Sequence, residues 1–214
     1  MAIDGPSGSG KSSTSRGVAD RLGLRYLDTG AMYRAITWWM LRHEVDVHDP
    51  AAVAARVAEP EILSGTDPLG PTILVDGVDV GLAIRSDEVN AAVSPVAAVP
   101  AVRRRLLELQ HEIIGAGGIV VEGRDIGSVV APDAAVKVFL HAHPEERARR
   151  RASQIGLDVQ EVLNRQRTRD TRDSSAGRAT LEPHEGAIEL DTTELTLEAV
   201  IDKIVALAHE AQEA

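Results

Sequence analysis

Residues 5–12, GPSGSGKS, follow a short apolar run and precede a helical stretch, and they satisfy the pattern G-x-x-x-x-G-K-[ST] in full. A loop of this kind turns its backbone N–H groups inward, and the helix behind it adds the positive end of its dipole, so the pair is built to hold phosphate. Gly5, Pro6, Ser7, Gly8, Ser9, Gly10, Lys11, Ser12 and Ser13 are the candidate residues of that cradle. Lys11 is expected to reach the β and γ phosphates of a nucleotide, and Ser12 to offer its hydroxyl to Mg²⁺. The loop also constrains the fold. A strand that feeds a glycine loop and then a helix is half of a β-α-β unit, which calls for a mainly parallel sheet.

Short apolar runs and longer amphipathic stretches alternate along the remaining chain. Strands are expected at 2–4, 24–27, 119–122, 136–141 and 188–191, each reading as a strand covered on both faces. Between them, Val102, Leu106, Leu109 and Ile113 recur at helical spacing, as do Leu197, Ile201, Ile204 and Ala208 behind a candidate N-cap, Thr196. The spacing therefore predicts an α/β fold with a doubly wound parallel sheet. One region departs from the alternation: turn residues fill 65–71, and 72–80 reads as two short strands around an Asp76-Gly77 turn. An inserted antiparallel subdomain is expected over about 52–89. A second irregular stretch, 173–180, is expected to join a helix ending near Arg172 to the last strand.

The chain has 214 residues, 33 acidic against 23 basic, for a net charge of −10, and it has no cysteine. Disulfides and thiolate metal sites are excluded. A negative chain with only two Trp, two Tyr and one Phe is a poor candidate for binding a nucleic-acid backbone or stacking its bases. No run approaches the 18 apolar residues of a membrane span, and no basic-then-apolar leader opens the chain, so a cytoplasmic protein is the expectation.

A phosphate loop alone fits switches, motors and small-molecule kinases. The N-K-x-D motif of a guanine-nucleotide switch is absent, and the D-x-x-G match at 67–70 falls in the expected insert. The arginines are more informative. Arg34 follows the turn LDTG at 27–30, and Arg124 sits in EGRDIG at 122–127; both turns lie after strands, on the edge where open parallel sheets bind ligands. Guanidinium forks suit a second phosphate better than an ammonium does. In the run 103–105, Arg104 and Arg105 have Glu108 at i+4 and i+3, while those offsets from Arg103 carry Leu107 and Leu106, which makes Arg103 the one for a ligand. Further arginines stud 147–151 and 165–172, and two or three of these are expected to reach phosphate. Glu122 is a candidate to hold Mg²⁺-bound water, Asp125 to accept from a base amino group or pair with Arg124, and Asp28 to order metal waters or cap the next helix.

Taken together, IDGPSGSGKS at 3–12, LDTGAMYR at 27–34, Val-Asp-Val47, Ile-Arg85 with Val-Ser94 and Val-Pro100, VEGRDIG at 121–127, PDAAVKVFL at 132–140 and Arg-Asp170 resemble the bacterial cytidylate kinases along nearly the whole chain. The resemblance implies a P-loop nucleoside-monophosphate-kinase fold, a single kinase domain with a five-stranded parallel sheet flanked by helices. Its core would be 1–51, 90–145 and 180–214, its inserted antiparallel acceptor-binding subdomain about 52–89, and its short lid about 146–179. It implies transfer of a phosphoryl group from ATP, with Mg²⁺, to CMP or dCMP, by a monomer without nucleic-acid or membrane partners. Ser94, Arg103 and Asp125 would face cytosine. Thr29, Tyr33, Arg34 and Arg124 would surround the acceptor nucleotide and its phosphate, and Arg169 and Asp173 would touch its sugar. Lys11, Arg34, Arg124 and Arg169 would be the catalytic set. The family pattern R-D-x-x-D-S-x-R is broken in this chain by Ala176, so either Arg178 takes the missing arginine's place or the acceptor phosphate is held less tightly. The remaining alternatives are a P-loop kinase for another small acceptor, a different nucleoside monophosphate or shikimate, and an ATP-hydrolysing or ATP-sensing regulator with a macromolecular partner.

Overall fold

A computed structural model describes residues 1–175 and 183–213. In chain order its elements are β1 (Ala2–Asp4), α1 (Lys11–Leu22), β2 (Arg25–Asp28), α2 (Thr29–Arg42), α3 (Pro50–Arg56), β3 (Ile62–Ser64), β4 (Ile73–Val75), β5 (Val78–Asp79), α4 (Asp87–Ala98), α5 (Pro100–Ile114), β6 (Ile119–Gly123), β7 (Lys137–His141), α6 (Pro144–Ile155), α7 (Val159–Ser175), β8 (Ile188–Asp191) and α8 (Leu197–Glu213). A single π-helical turn lies at Ile126–Val130. The five-stranded sheet has the order β2-β6-β1-β7-β8, and β3-β4-β5 form a separate antiparallel sheet. By contacts the chain divides into two compact units, Met1–Arg25 with Ile119–Ala214, and Tyr26–Gly118.

In the first unit β1 lies parallel between β6 and β7, with Ala2 opposite both Val121 and Lys137, and β7 carries β8 on its other side. All three residues of β1 are buried, as are Val120, Val138 and Leu140 beside it. That is why these strands read as unbroken apolar runs. Helices α1 and α8 pack so closely that a Cβ at Gly17 would overlap Ile201 Cδ1. The N-cap expected at Thr196 is present, its Oγ1 accepting from the Ala199 amide at 3.2 Å. Helices α6 and α7 share a small apolar cluster of their own, Ala148, Ala152, Val162 and Leu163.

In the second unit Ile62, Ile73 and Val75 bury one side of the small sheet. The β4–β5 hairpin turns at Asp76 and Gly77, both with positive φ (50° and 78°), the geometry that Asp-Gly favours in a two-residue turn. Asp76 also joins the turn to the unit's core: its carboxylate accepts from the Trp39 indole at 2.8 Å and from the Glu61 amide at 2.8 Å. His43 stacks on Trp39, and the Arg56 guanidinium lies 4.8 Å from the Trp39 ring centre.

Observed strand boundaries fall within one residue of those expected. Four expectations need correction. β8, expected to be covered on both faces, leaves Ile188, Glu189 and Asp191 exposed. β3 has no counterpart among the expected strands, because Ile-Leu-Ser is too short to show alternation. α7 runs on to Ser175, past the end expected near Arg172, and the rest of the irregular stretch expected at 173–180 lies outside the described residues. Among the described residues no ion pair joins Arg104 or Arg105 to Glu108. Arg105 instead sends Nη2 to the Pro60 carbonyl at 2.5 Å, a tertiary contact that helical spacing cannot foresee. Among the described residues no helix is long and apolar enough to cross a membrane.

This packing makes stability testable at two positions. Leu140→Ala, in the fully buried middle of the sheet, should lower the unfolding free energy by about 3 kcal/mol in urea denaturation. Glu146, on the first turn of α6, accepts from Arg149 and Arg150 at 2.8 Å, and the hydrogen bond from Arg149 is the main reason its carboxyl is held below the usual range. The unfolded chain therefore binds the proton more readily. The stabilisation is present above the ordinary carboxyl range and is lost as pH falls through the lowered value. The urea midpoint of Glu146→Gln should consequently fall less than that of the parent on acidification from about pH 5 to about pH 3.

Candidate active site

Two loops leave the carboxyl ends of neighbouring strands in the first unit. The first, 5–12, joins β1 to α1. Gly8 has φ +81°, and a Cβ there would lie 2.7 Å from Gln166 Nε2 and 2.8 Å from the Arg147 carbonyl, so only glycine lets α6 and α7 come this close. Lys11 folds its ammonium across the loop, donating to the Pro6 carbonyl at 2.7 Å. The Ser9 hydroxyl is buried and has no hydrogen-bond partner among the described residues. Ser12 donates to Glu122 Oε2 at 3.0 Å, and Glu122 is itself buried near the end of β6, opposite Ile3 of β1.

The second loop, 123–127, carries Arg124 and Asp125 and is anchored from below. Asp4, the last residue of β1, is fully buried. Its Oδ1 accepts from the Ile126 amide and its Oδ2 from the Gly127 amide, both at 2.8 Å. A buried carboxylate is tolerated only when its lone pairs are filled, and these two amides fill two of them. Asp4 thus ends the strand that starts the phosphate loop while also holding the loop that carries Arg124.

A buried ion pair joins these loops to the helices over them. Arg147 of α6 donates from Nη1 to the Ser7 carbonyl at 3.0 Å and pairs through Nη2 with Asp170 of α7 at 2.9 Å. Arg124 Nη1 lies 3.9 Å from the other oxygen of Asp170. Nearby, Arg150 donates to the Thr192 hydroxyl at 3.0 Å, and that hydroxyl, 3.0 Å from the His141 carbonyl and 3.3 Å from the Ser9 carbonyl, forms a brace beside the phosphate loop. Spacing marks 147–151 as arginine-rich without distinguishing Arg147 and Arg150. The signal that separates them is burial, which depends on the partner helix. Arg169 and Asp173 lie on α7; Arg178 and Ala176 fall outside the described residues.

The other expected acceptor residues belong to the second unit. Thr29 begins α2 and is buried. Asp28 serves as the N-cap, accepting from the Ala31 amide at 2.9 Å, which is the capping alternative of the two roles read from sequence. Tyr33 and Arg34 follow on α2, and Arg34 Nη1 donates to Asn90 Oδ1 on α4 at 2.7 Å. Ser94 is buried on α4, and Arg103 is half-buried on α5.

Among the described residues no cluster of three or more His, Cys, Asp or Glu could hold a metal ion by itself. Ser12 and Glu122 form an all-oxygen pair, a hydroxyl against a buried carboxylate. That donor set fits Mg²⁺, which binds through few protein oxygens and completes its shell with water and nucleotide phosphate.

Residues 1–210 match the family model for cytidylate kinase. The chain is 54% identical over 217 residues to a cytidylate kinase of Streptomyces avermitilis, covering all of this chain and 94% of that protein. It is 56% identical over 213 residues to one of Streptomyces coelicolor, covering 98% and 92%. A crystal structure of an uncharacterised protein from Eubacterium ventriosum shares the fold, with a TM-score of 0.54 at 10% identity over 98% of this chain and 97% of that one. The phosphate loop, the arginine loop beside it and the full-length match agree: the chain belongs to the cytidylate kinase family, nucleoside monophosphate kinases that act as phosphotransferases.

Proposed function

We propose that the chain transfers the γ-phosphoryl group of ATP to CMP or dCMP, giving ADP and CDP or dCDP. The observation that carries this reading is the pairing of two loops on adjacent strands, 5–12 for the donor phosphates and 123–127 for the acceptor. Backbone amides of the first loop and Lys11 bind the donor phosphates. Ser12, with Glu122 acting through water, would hold Mg²⁺, which supplies charge neutralisation on the donor phosphates. An oxygen of the acceptor phosphate attacks the γ-phosphorus in line; the new O–P bond forms as the bond to the β–γ bridging oxygen breaks, and ADP leaves. Arg34, Arg124 and Arg169 offset the charge on the transferring group and keep water from competing for it. Nothing in this scheme needs a covalent enzyme intermediate; positioning supplies the remaining rate.

Asp125, with Ser94 and Arg103, reads the cytosine ring, Asp125 accepting from the exocyclic amino group. Thr29 and Tyr33 line the acceptor nucleotide, and Arg169 and Asp173 contact its sugar. Arg178 stands in for the arginine replaced by Ala176. In this reading 52–89 is the acceptor-binding insert and 146–179 the lid over a core of 1–51, 90–145 and 180–214. The enzyme works as a cytoplasmic monomer on small nucleotides, without nucleic-acid or membrane partners.

A coupled ADP-release assay across CMP, dCMP, UMP, AMP and shikimate tests the assignment. CMP or dCMP should exceed UMP in kcat/KM by at least about 10²-fold, because uracil presents a carbonyl where Asp125 expects a donor. Turnover of ATP without any acceptor, or equal use of UMP, would overturn it. Lys11→Ala and Arg124→Ala should each lower kcat/KM by about 10³-fold while leaving the urea midpoint near that of the parent. Near-normal kcat in both variants would mean that neither side chain stabilises the transferring phosphoryl group.

A further inference from the structure

His184 lies on the short segment that precedes β8, far from either loop in sequence, and takes no part in the phosphoryl transfer itself. Its ring nevertheless closes the anchor under the arginine loop. Nε2 lies 3.1 Å from Asp4 Oδ2, the oxygen that also accepts from the Gly127 amide. An ionised carboxylate only accepts, so Nε2 is the donor. The other ring nitrogen, Nδ1, lies 3.2 Å from the Glu185 carbonyl, a contact that is a hydrogen bond only in the doubly protonated ring. Packing adds a second, independent contact. A Cβ built on Gly127 would overlap His184 Cε1 and Nε2, so the ring rests on the loop backbone where only a hydrogen is present. The side chain of His184 is 14% exposed and that of Asp4 1%.

We infer that His184 is a positioning residue for acceptor binding: it supplies the third partner of the Asp4 carboxylate and covers Gly127, and so holds the 123–127 loop in the conformation that presents Arg124 and Asp125. This rests on the reading of that loop as the acceptor site. The physical reason is the location of Asp4. With the imidazole removed, a fully buried carboxylate keeps two backbone amides and loses a hydrogen bond that shares one of its oxygens, and water has to enter beside Gly127 to replace it. The loop then samples more conformations, and acceptor affinity falls. The phosphate loop is braced separately by Arg147 at Ser7 and by Arg150 through Thr192, so donor affinity is insulated from the change.

The test compares His184→Ala, His184→Gln and Arg124→Ala in the full chain. His184→Ala should raise KM for CMP about tenfold with KM for ATP within about twofold of the parent, the size expected for loss of one hydrogen bond to a charged group. His184→Gln, which keeps a donor without the ring, should fall between. Amide hydrogen exchange followed by NMR gives a readout apart from activity: exchange at Ile126 and Gly127 should quicken in His184→Ala while exchange across β1 stays unchanged. A purely structural histidine would lower the urea midpoint and leave both KM values and the two amides in place, which would overturn the inference. If Arg124→Ala raises KM for CMP and His184→Ala does not, the inference fails and the acceptor reading stands. If Arg124→Ala leaves both KM for CMP and kcat near those of the parent, the acceptor reading itself fails, and the inference with it.

Discussion

A carboxylate sealed from water at the end of β1 sets the geometry of the first unit. Asp4 could not persist there as a charge without filled lone pairs, and the donors that fill them belong to the loop leaving β6. The strand pairing alone would leave the two loops free to vary independently, since register fixes backbone up to Asp4 and Gly123 and no further. The carboxylate removes that freedom. Phosphate loop and arginine loop begin from one residue, one covalently and the other through two hydrogen bonds.

The remaining ionic contacts elaborate on this arrangement. An acidic chain that handles polyanions has to concentrate its cations, and burial decides which of them can act. Arg21, paired with Asp202 and Glu198 on the outer surface, contributes to the contact of α1 with α8 and to nothing near the loops. Arg147 and Arg150 are on one helix turn with Arg149, yet Arg149 points to solvent while the other two reach the phosphate loop and its brace. The net charge of −10 thus limits long-range attraction without touching the local field, which is carried by a few guanidinium groups held in low-dielectric surroundings.

The parallel sheet and the phosphate loop were legible because both depend on local signals: apolar runs of strand length, and glycines at a fixed spacing before Lys-Ser. The Asp76-Gly77 hairpin was legible for the same reason. What escaped depends on chain segments remote in sequence. Asp4 and His184 are 180 positions apart, and Arg105 finds Pro60 across 45. Asp4 in particular reads as the polar end of a strand, and nothing in its neighbours shows that its side chain points inward. The candidate site was therefore legible as a set of residue types at strand ends, and illegible in the buried contacts that hold those residues in position.

Arg147 and Asp170 also constrain how this chain can change over time. Each is nearly enclosed, with 7% of the side chain exposed. Replacing Asp170 leaves the buried Arg147 guanidinium without its carboxylate, and replacing Arg147 leaves Asp170 with Arg124 at 3.9 Å, whereas replacing both with apolar residues of similar bulk need cost little. The two positions are thus joined by strong non-additivity. A lineage can exchange this pair only by crossing a poorly folded intermediate, or by first gaining stability elsewhere. Arg147 also grips the Ser7 carbonyl, so an apolar replacement that satisfied the fold would still release the phosphate loop, and the double exchange that thermodynamics allows is one that catalysis would reject.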